Sequence, residues 1–176
     1  TNLKARGLTN NARPEDDLKV APSELMEVYA AQMTEADSGI ARLQEALKNL
    51  GYLDNTLLLI FSDNGASAED INTRGLHKTN AQPGDRGSYL SYGREWATVS
   101  NTPFRGHKGS TFEGGIRSPL IIHWPHRLTT KNVIDTETIV DVKDIYPTIL
   151  DLVGVQVDRR LPGENFTNLL TDGTFQ

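Results

Sequence analysis

The chain has 176 residues, 37% hydrophobic and 23% charged, a length and composition that suit a soluble globular domain. The 18 Lys and Arg against 23 Asp and Glu give a net charge of -5, so no global basic field draws the chain to nucleic acid or to an anionic membrane. Zero cysteines exclude a disulfide scaffold, a thiolate nucleophile and a cysteine zinc cluster within these residues, and no apolar run approaches the roughly 18 residues of a transmembrane helix.

Residues 1–22 are polar and lack a sustained period, which predicts an arm or linker; the polar start without methionine suits a processed chain or a fragment. From Leu25 the pattern becomes helical. Leu25, Tyr29, Met33, Ala36, Ile40, Leu43, Leu47 and Leu50 recur at spacings of three and four, with Ser23 as the expected N-cap and Gly51 as the stop. Thr56–Phe61 is continuously apolar and reads as a buried central strand whose carboxyl end runs into Ser62-Asp63-Asn64-Gly65. Roughly residues 66–103 read as a long loop with short embedded elements, in which Tyr89, Tyr92 and Trp96 either line a substrate wall or simply pack at the surface within the loop. Pro119–Trp124 predicts a second buried strand. A second helix is expected over Asp141–Val153, with Ile145, Ile149, Leu152 and Val153 on one side, Pro147 in an early turn and Gly154 at the end. Strands interleaved with helices place the chain in the α/β class.

Two segments carry chemistry. Asp63 and Asn64 end an apolar strand and offer oxygens to a hard cation such as calcium or magnesium; the bland alternative is an Asx turn using Gly65. Because calcium takes about six to eight oxygens, further donors must come from elsewhere. The segment Phe104–Arg117 holds four glycines with Arg105, His107, Lys108 and Arg117, a cationic loop suited to a tetrahedral oxyanion. Lys108 is the preferred direct contact, and Arg105 a second substrate contact. His77 and His107 are candidates for protonating a leaving group, whereas His123 reads as packed in its strand and His126 as surface. Glu113 suits a salt bridge better than a general base, and Asn165-Phe166-Thr167 fits a glycosylation sequon.

Leu58–Gly65 followed by Lys108–Arg117 resembles the type I, formylglycine-dependent sulfatases. Ser118–Pro125, Asp144–Leu150 and Leu161-Pro162-Gly163 extend the resemblance over roughly residues 23–170, and Ser88–Gly93 with Ser100–Arg105 is similar to arylsulfatase-like members. The resemblance implies an alkaline-phosphatase-like α/β/α sandwich, of which residues 23–170 form the carboxyl part of the catalytic domain and residues 171–176 a tail. It further implies Asp63 and Asn64 as ligands of Ca2+ or Mg2+, Lys108 on the transferring sulfate, and a sulfate ester or sulfated carbohydrate as substrate. The family's formylglycine, made from Cys or Ser in a C/S-x-P-x-R motif, attacks sulfur as its hydrate. That motif is absent. Asn101-Thr102-Pro103-Phe104-Arg105 reproduces the Pro and Arg spacing with Asn at the modifiable position. The nucleophile and the remaining acidic ligands are therefore expected in an amino-terminal portion of the same protein, and the chain alone is expected to be inactive. By the same resemblance, a periplasmic, secreted or lysosomal location is expected. The competing readings are a phosphate-ester hydrolase or transferase of the same superfold and a non-catalytic anion-binding domain.

Overall fold

A computed structural model describes residues 22–71, 76–78, 80–129, 132–156 and 161–171. The expected arm and tail therefore lie outside the described residues, apart from Pro22 and Thr171. The chain is mixed α/β and divides into two units, one built from residues up to Gln44 with Phe61–Leu120, the other from Glu45–Ile60 with Ile121 onward.

Helix α1 runs Pro22–Asn49. Its start corrects the expected cap: Ser23 lies inside the first turn, because Pro22 has its φ preset for a helix and needs no partner for a missing N–H. Its end is as expected. Gly51 takes φ 75°, Tyr52 N–H donates to Leu47 O at 2.8 Å, and Gly51 N–H donates to Lys48 O at 3.0 Å. In the first unit Tyr29 of the apolar stripe stacks on Tyr92, ring centroids 4.9 Å apart and planes 6° from parallel. Tyr92 is thus one of the loop aromatics that packs, and burial raises its hydroxyl pKa against the opposing hydrogen bond from Ser100.

The long loop contains helix α2, Gly93–Ser100, with Ala97 fully buried. The glycine-rich segment contains a single helical turn, α3, Glu113–Ile116. Neither helix has enough residues to print a period in the sequence.

Strands β1 (Leu58–Phe61) and β2 (Leu120–His123) pair in a two-stranded sheet. Both are expected strands, but the burial expected of them is not found: Phe61 is 43% and Ile121 58% exposed. A strand with one neighbour among the described residues keeps its apolar side chains partly wet.

Helix α4 spans Val142–Leu152 and opens with a capping box. The Asp141 carboxylate accepts from Lys143 N–H at 3.0 Å, and the Asp144 carboxylate accepts from Asp141 N–H at 2.8 Å. Gly154 closes the helix with φ 76°, as expected. One detail agrees with the sequence reading and one differs. Pro147 sits in the second turn, inside the helix, where it cannot donate to the Lys143 carbonyl; Gly163 packs so closely there that a Cβ would stand 2.7 Å from Lys143 C. The buried side of α4 is Pro147 and Thr148, whereas Ile149 and Val153 are 41% and 67% exposed. Helix α5, Thr167–Thr171, explains the shift, because its lead-in docks onto α4. Phe166 N–H donates to Thr148 Oγ1 at 3.0 Å, Thr148 Oγ1 donates to Asp144 O at 2.7 Å, and Leu170 is 2% exposed.

Candidate active site

The turn after β1 and the glycine-rich segment meet in the first unit, through their backbones. Gly65 N–H donates to Gly115 O at 2.9 Å, and Lys108 N–H donates to Ala66 O at 3.0 Å. These bonds bring the Lys108 backbone against the turn that carries Asp63 and Asn64. The approach is close enough to require glycine. A Cβ on Gly65 would overlap the Gly114 carbonyl oxygen and stand 2.8 Å from its carbon, and one on Gly114 would stand 2.7 Å from Arg105 O. The glycines read from the sequence as room for a ligand are, at these two positions, room for another strand of backbone.

Asp63 is exposed and Asn64 partly exposed. Asn64 Nδ2 donates to Asp63 Oδ1 at 2.9 Å, which holds the two side chains together and leaves Asp63 Oδ2 and Asn64 Oδ1 as acceptors with no protein donor among the described residues. Ser62 Oγ donates to Asn64 O at 2.8 Å, and Ser118 Oγ donates to Ser62 O, pinning both ends of the turn. Paired oxygens on a fixed turn fit part of a hard-cation shell. Among the described residues, no group of three or more His, Cys, Asp or Glu side chains is placed to hold a metal ion.

The four basic residues of the loop separate into different environments. Arg105 lies over the Phe112 ring at 4.2 Å from its centroid, and Arg117 over Phe104 at 4.8 Å. Arg117 also pairs with Glu113 at 3.6 Å, the salt-bridge role expected for that glutamate. His107 Nε2 lies 3.0 Å from Thr98 Oγ1, and Thr98 Oγ1 donates to the Arg94 carbonyl at 2.9 Å. Desolvation, and then the nearby Arg94 charge, hold the His107 pKa below its ordinary value. Lys108 is exposed. His77 is attached elsewhere, its Nδ1 accepting the Tyr89 N–H at 3.2 Å. His123 at the end of β2 has its Nε2 buried with no partner among the described residues, and His126, in the turn beyond, is exposed as expected.

Asn101 is the residue whose part at the site the sequence reading missed. It is 8% exposed; its Oδ1 accepts the Ala66 N–H at 2.9 Å and its Nδ2 donates to Gly106 O at 3.0 Å. A lone asparagine at the end of a short helix gives no local sign of a partner 35 residues away.

The sulfatase family model matches residues 3–155. The chain belongs to the sulfatase family. It is 38% identical over 140 residues to an uncharacterized sulfatase of Schizosaccharomyces pombe, covering 74% of this chain and 25% of that protein. An arylsulfatase of Klebsiella aerogenes is 33% identical over 152 residues, 79% of this chain and 32% of the relative. A steryl-sulfatase of Mus musculus is 32% identical over 144 residues, 81% of this chain and 20% of the relative. The chain thus spans about a third or less of the length of these curated relatives.

Proposed function

We propose that the polypeptide to which this chain belongs hydrolyses sulfate esters to an alcohol and inorganic sulfate, and that these residues form one side of its active site. The observation that carries the reading is the backbone junction between the Asp63-Asn64 turn and the Lys108 loop, found in a chain of the sulfatase family. Asp63 and Asn64 hold a calcium or magnesium ion through the two oxygens left open by their mutual hydrogen bond. The ion, when bound, offsets the negative charge of the sulfate oxygens. The other ligands, and a formylglycine that supplies the attacking hydroxyl, come from the rest of the polypeptide, since this sequence has no cysteine and no C/S-x-P-x-R motif.

The exposed Lys108 ammonium donates to a sulfate oxygen and stabilises charge as the ester bond breaks. Arg105, braced on Phe112, supports the anion from the same loop. His107 and His77 are the candidates on this chain for moving a proton to the departing alcohol. Large apolar side chains such as Ile134 at 90% and Ile139 at 74% exposure are covered by the remaining polypeptide, which also completes the α/β/α sandwich. The 176-residue chain alone is inactive.

The test is sulfate release from an aromatic sulfate ester by the purified complete polypeptide, its Lys108→Ala variant and the isolated chain, with the matching phosphate ester in parallel. Calcium-dependent sulfate release by the complete polypeptide alone supports the reading. Faster turnover of the phosphate ester overturns it, and turnover by the isolated chain overturns the requirement for the remaining polypeptide.

A further inference from the structure

We propose that Asn101 is a positioning residue that fixes the spacing between the turn carrying Asp63-Asn64 and the loop carrying Lys108. The carboxamide is buried, and both of its partners are backbone groups of set polarity: a donor, Ala66 N–H at 2.9 Å, and an acceptor, Gly106 O at 3.0 Å. That pairing fixes which end of the amide is oxygen and which is nitrogen. Asn101 is itself tied at both sides, its N–H donating to Ala97 O at 3.1 Å and its carbonyl accepting from Phe104 N–H at 2.7 Å. Helix α2 therefore holds the clamp, and the clamp holds the two loops.

Few side chains meet this demand. The site needs one acceptor and one donor on a short planar group, directed to opposite sides. Aspartate keeps the acceptor for Ala66 but places a second oxygen against Gly106 O; alanine leaves both backbone groups unpaired in a buried setting. Asn101 also stands beside the glycine contact, because a Cβ on Gly65 would lie 3.3 Å from its Oδ1. Among the described residues its side chain bonds only to backbone, at Ala66 and Gly106, and not to the acceptor oxygens of Asp63 and Asn64 or the Lys108 ammonium, so it acts through backbone. Its importance to catalysis rests on the sulfate-ester reading, but its geometry does not.

The experiment is amide hydrogen exchange on the complete polypeptide, resolved at Ala66 and Lys108, for wild type, Asn101→Asp and Asn101→Ala, with calcium affinity and steady-state kinetics on the aromatic sulfate ester. In Asn101→Ala, exchange at both amides rises about tenfold or more, as expected for loss of a buried hydrogen bond, while helix α4 amides stay within about twofold. In Asn101→Asp, Ala66 stays protected and Lys108 loosens. Calcium binding weakens about tenfold and kcat falls more than KM rises, because the variant loses alignment rather than contact. Uniform loosening across the chain, or equal effects of the two substitutions on Ala66, overturns the proposal. If both variants unfold, Asn101→Gln, which keeps the amide on a longer arm, is measured instead; wild-type exchange at Lys108 with wild-type kinetics in that variant overturns it, and selective loosening there sustains it. Exchange needs no substrate, so absence of sulfate-ester turnover in the wild type sinks the functional reading without touching the clamp.

Discussion

Two regions of the chain reach order by opposite routes. Around Gly65 and Gly114, order comes from backbone lying directly on backbone, with side chains excluded and a single buried carboxamide joining the pieces. In α4 and α5, order comes from side chains bonding to backbone: a capping box at Asp141 and Asp144, then Thr148 binding the lead-in to α5. The first arrangement is intolerant of any added atom and leaves the functional groups exposed. The second absorbs irregularity, including a proline inside a helix. Rigid loops with exposed chemistry suit a site, and adaptable helical packing suits a scaffold.

The sharpest way to break that contrast is Gly65→Ala. Because the new methyl would overlap the Gly114 carbonyl, destabilisation of about 3 kcal/mol or more is expected by denaturant titration, with loss of activity in the complete polypeptide. Gly51→Ala is the control: φ is 75° but nothing lies within 4 Å, so only the left-handed backbone penalty of about 1 kcal/mol applies. Equal costs would show that crowding at the junction contributes nothing. Next, Lys108→Ala should lower kcat/KM for a sulfate ester about a hundredfold while the melting temperature holds, since an exposed lysine adds charge stabilisation rather than packing. A fall in melting temperature proportional to the lost activity would reassign Lys108 to structure.

On the scaffold side, Thr148→Val removes the acceptor for Phe166 N–H at a site 1% exposed and should cost about 1–2 kcal/mol without altering kcat. The smallest effect is pH-dependent. Since the His107 pKa is lowered in the folded chain, the unfolded chain takes the proton first; the stabilisation is full above the ordinary value of 6.5 and is lost as pH falls toward the folded value. Thermal melts between pH 7 and 5 should therefore show a shallower acid decline in His107→Gln than in wild type, and identical slopes would remove His107 as its source.

How much of this was legible in the sequence depends on the range of the interaction. Helix ends at Gly51 and Gly154 were readable because a left-handed glycine after a periodic run is a local signal. Asp63, Asn64 and Lys108 stood out in the sequence as candidates for chemistry, and the structure adds that their segments are bonded to each other. Asn101 was not, because its partners are backbone groups that any sequence possesses. The buried side of α4 was misread for a related reason: Thr148 is buried by hydrogen bonds from a segment beginning at Phe166, and hydropathy gives polar residues no credit for such partners. The exposure of β1 and β2 was equally invisible, since an apolar run does not state how many neighbours its strand has.

The contact between His107 and Thr98 fixes one more property of the site. A threonine hydroxyl has a single proton, and Thr98 Oγ1 stands within reach of two acceptors, the Arg94 carbonyl at 2.9 Å and His107 Nε2 at 3.0 Å. With that proton on the Arg94 carbonyl, the imidazole fills the second contact through Nε2–H and keeps its basic lone pair on Nδ1; with the hydroxyl turned to Nε2, the tautomer reverses. In either arrangement the Nε2 edge is the anchored one.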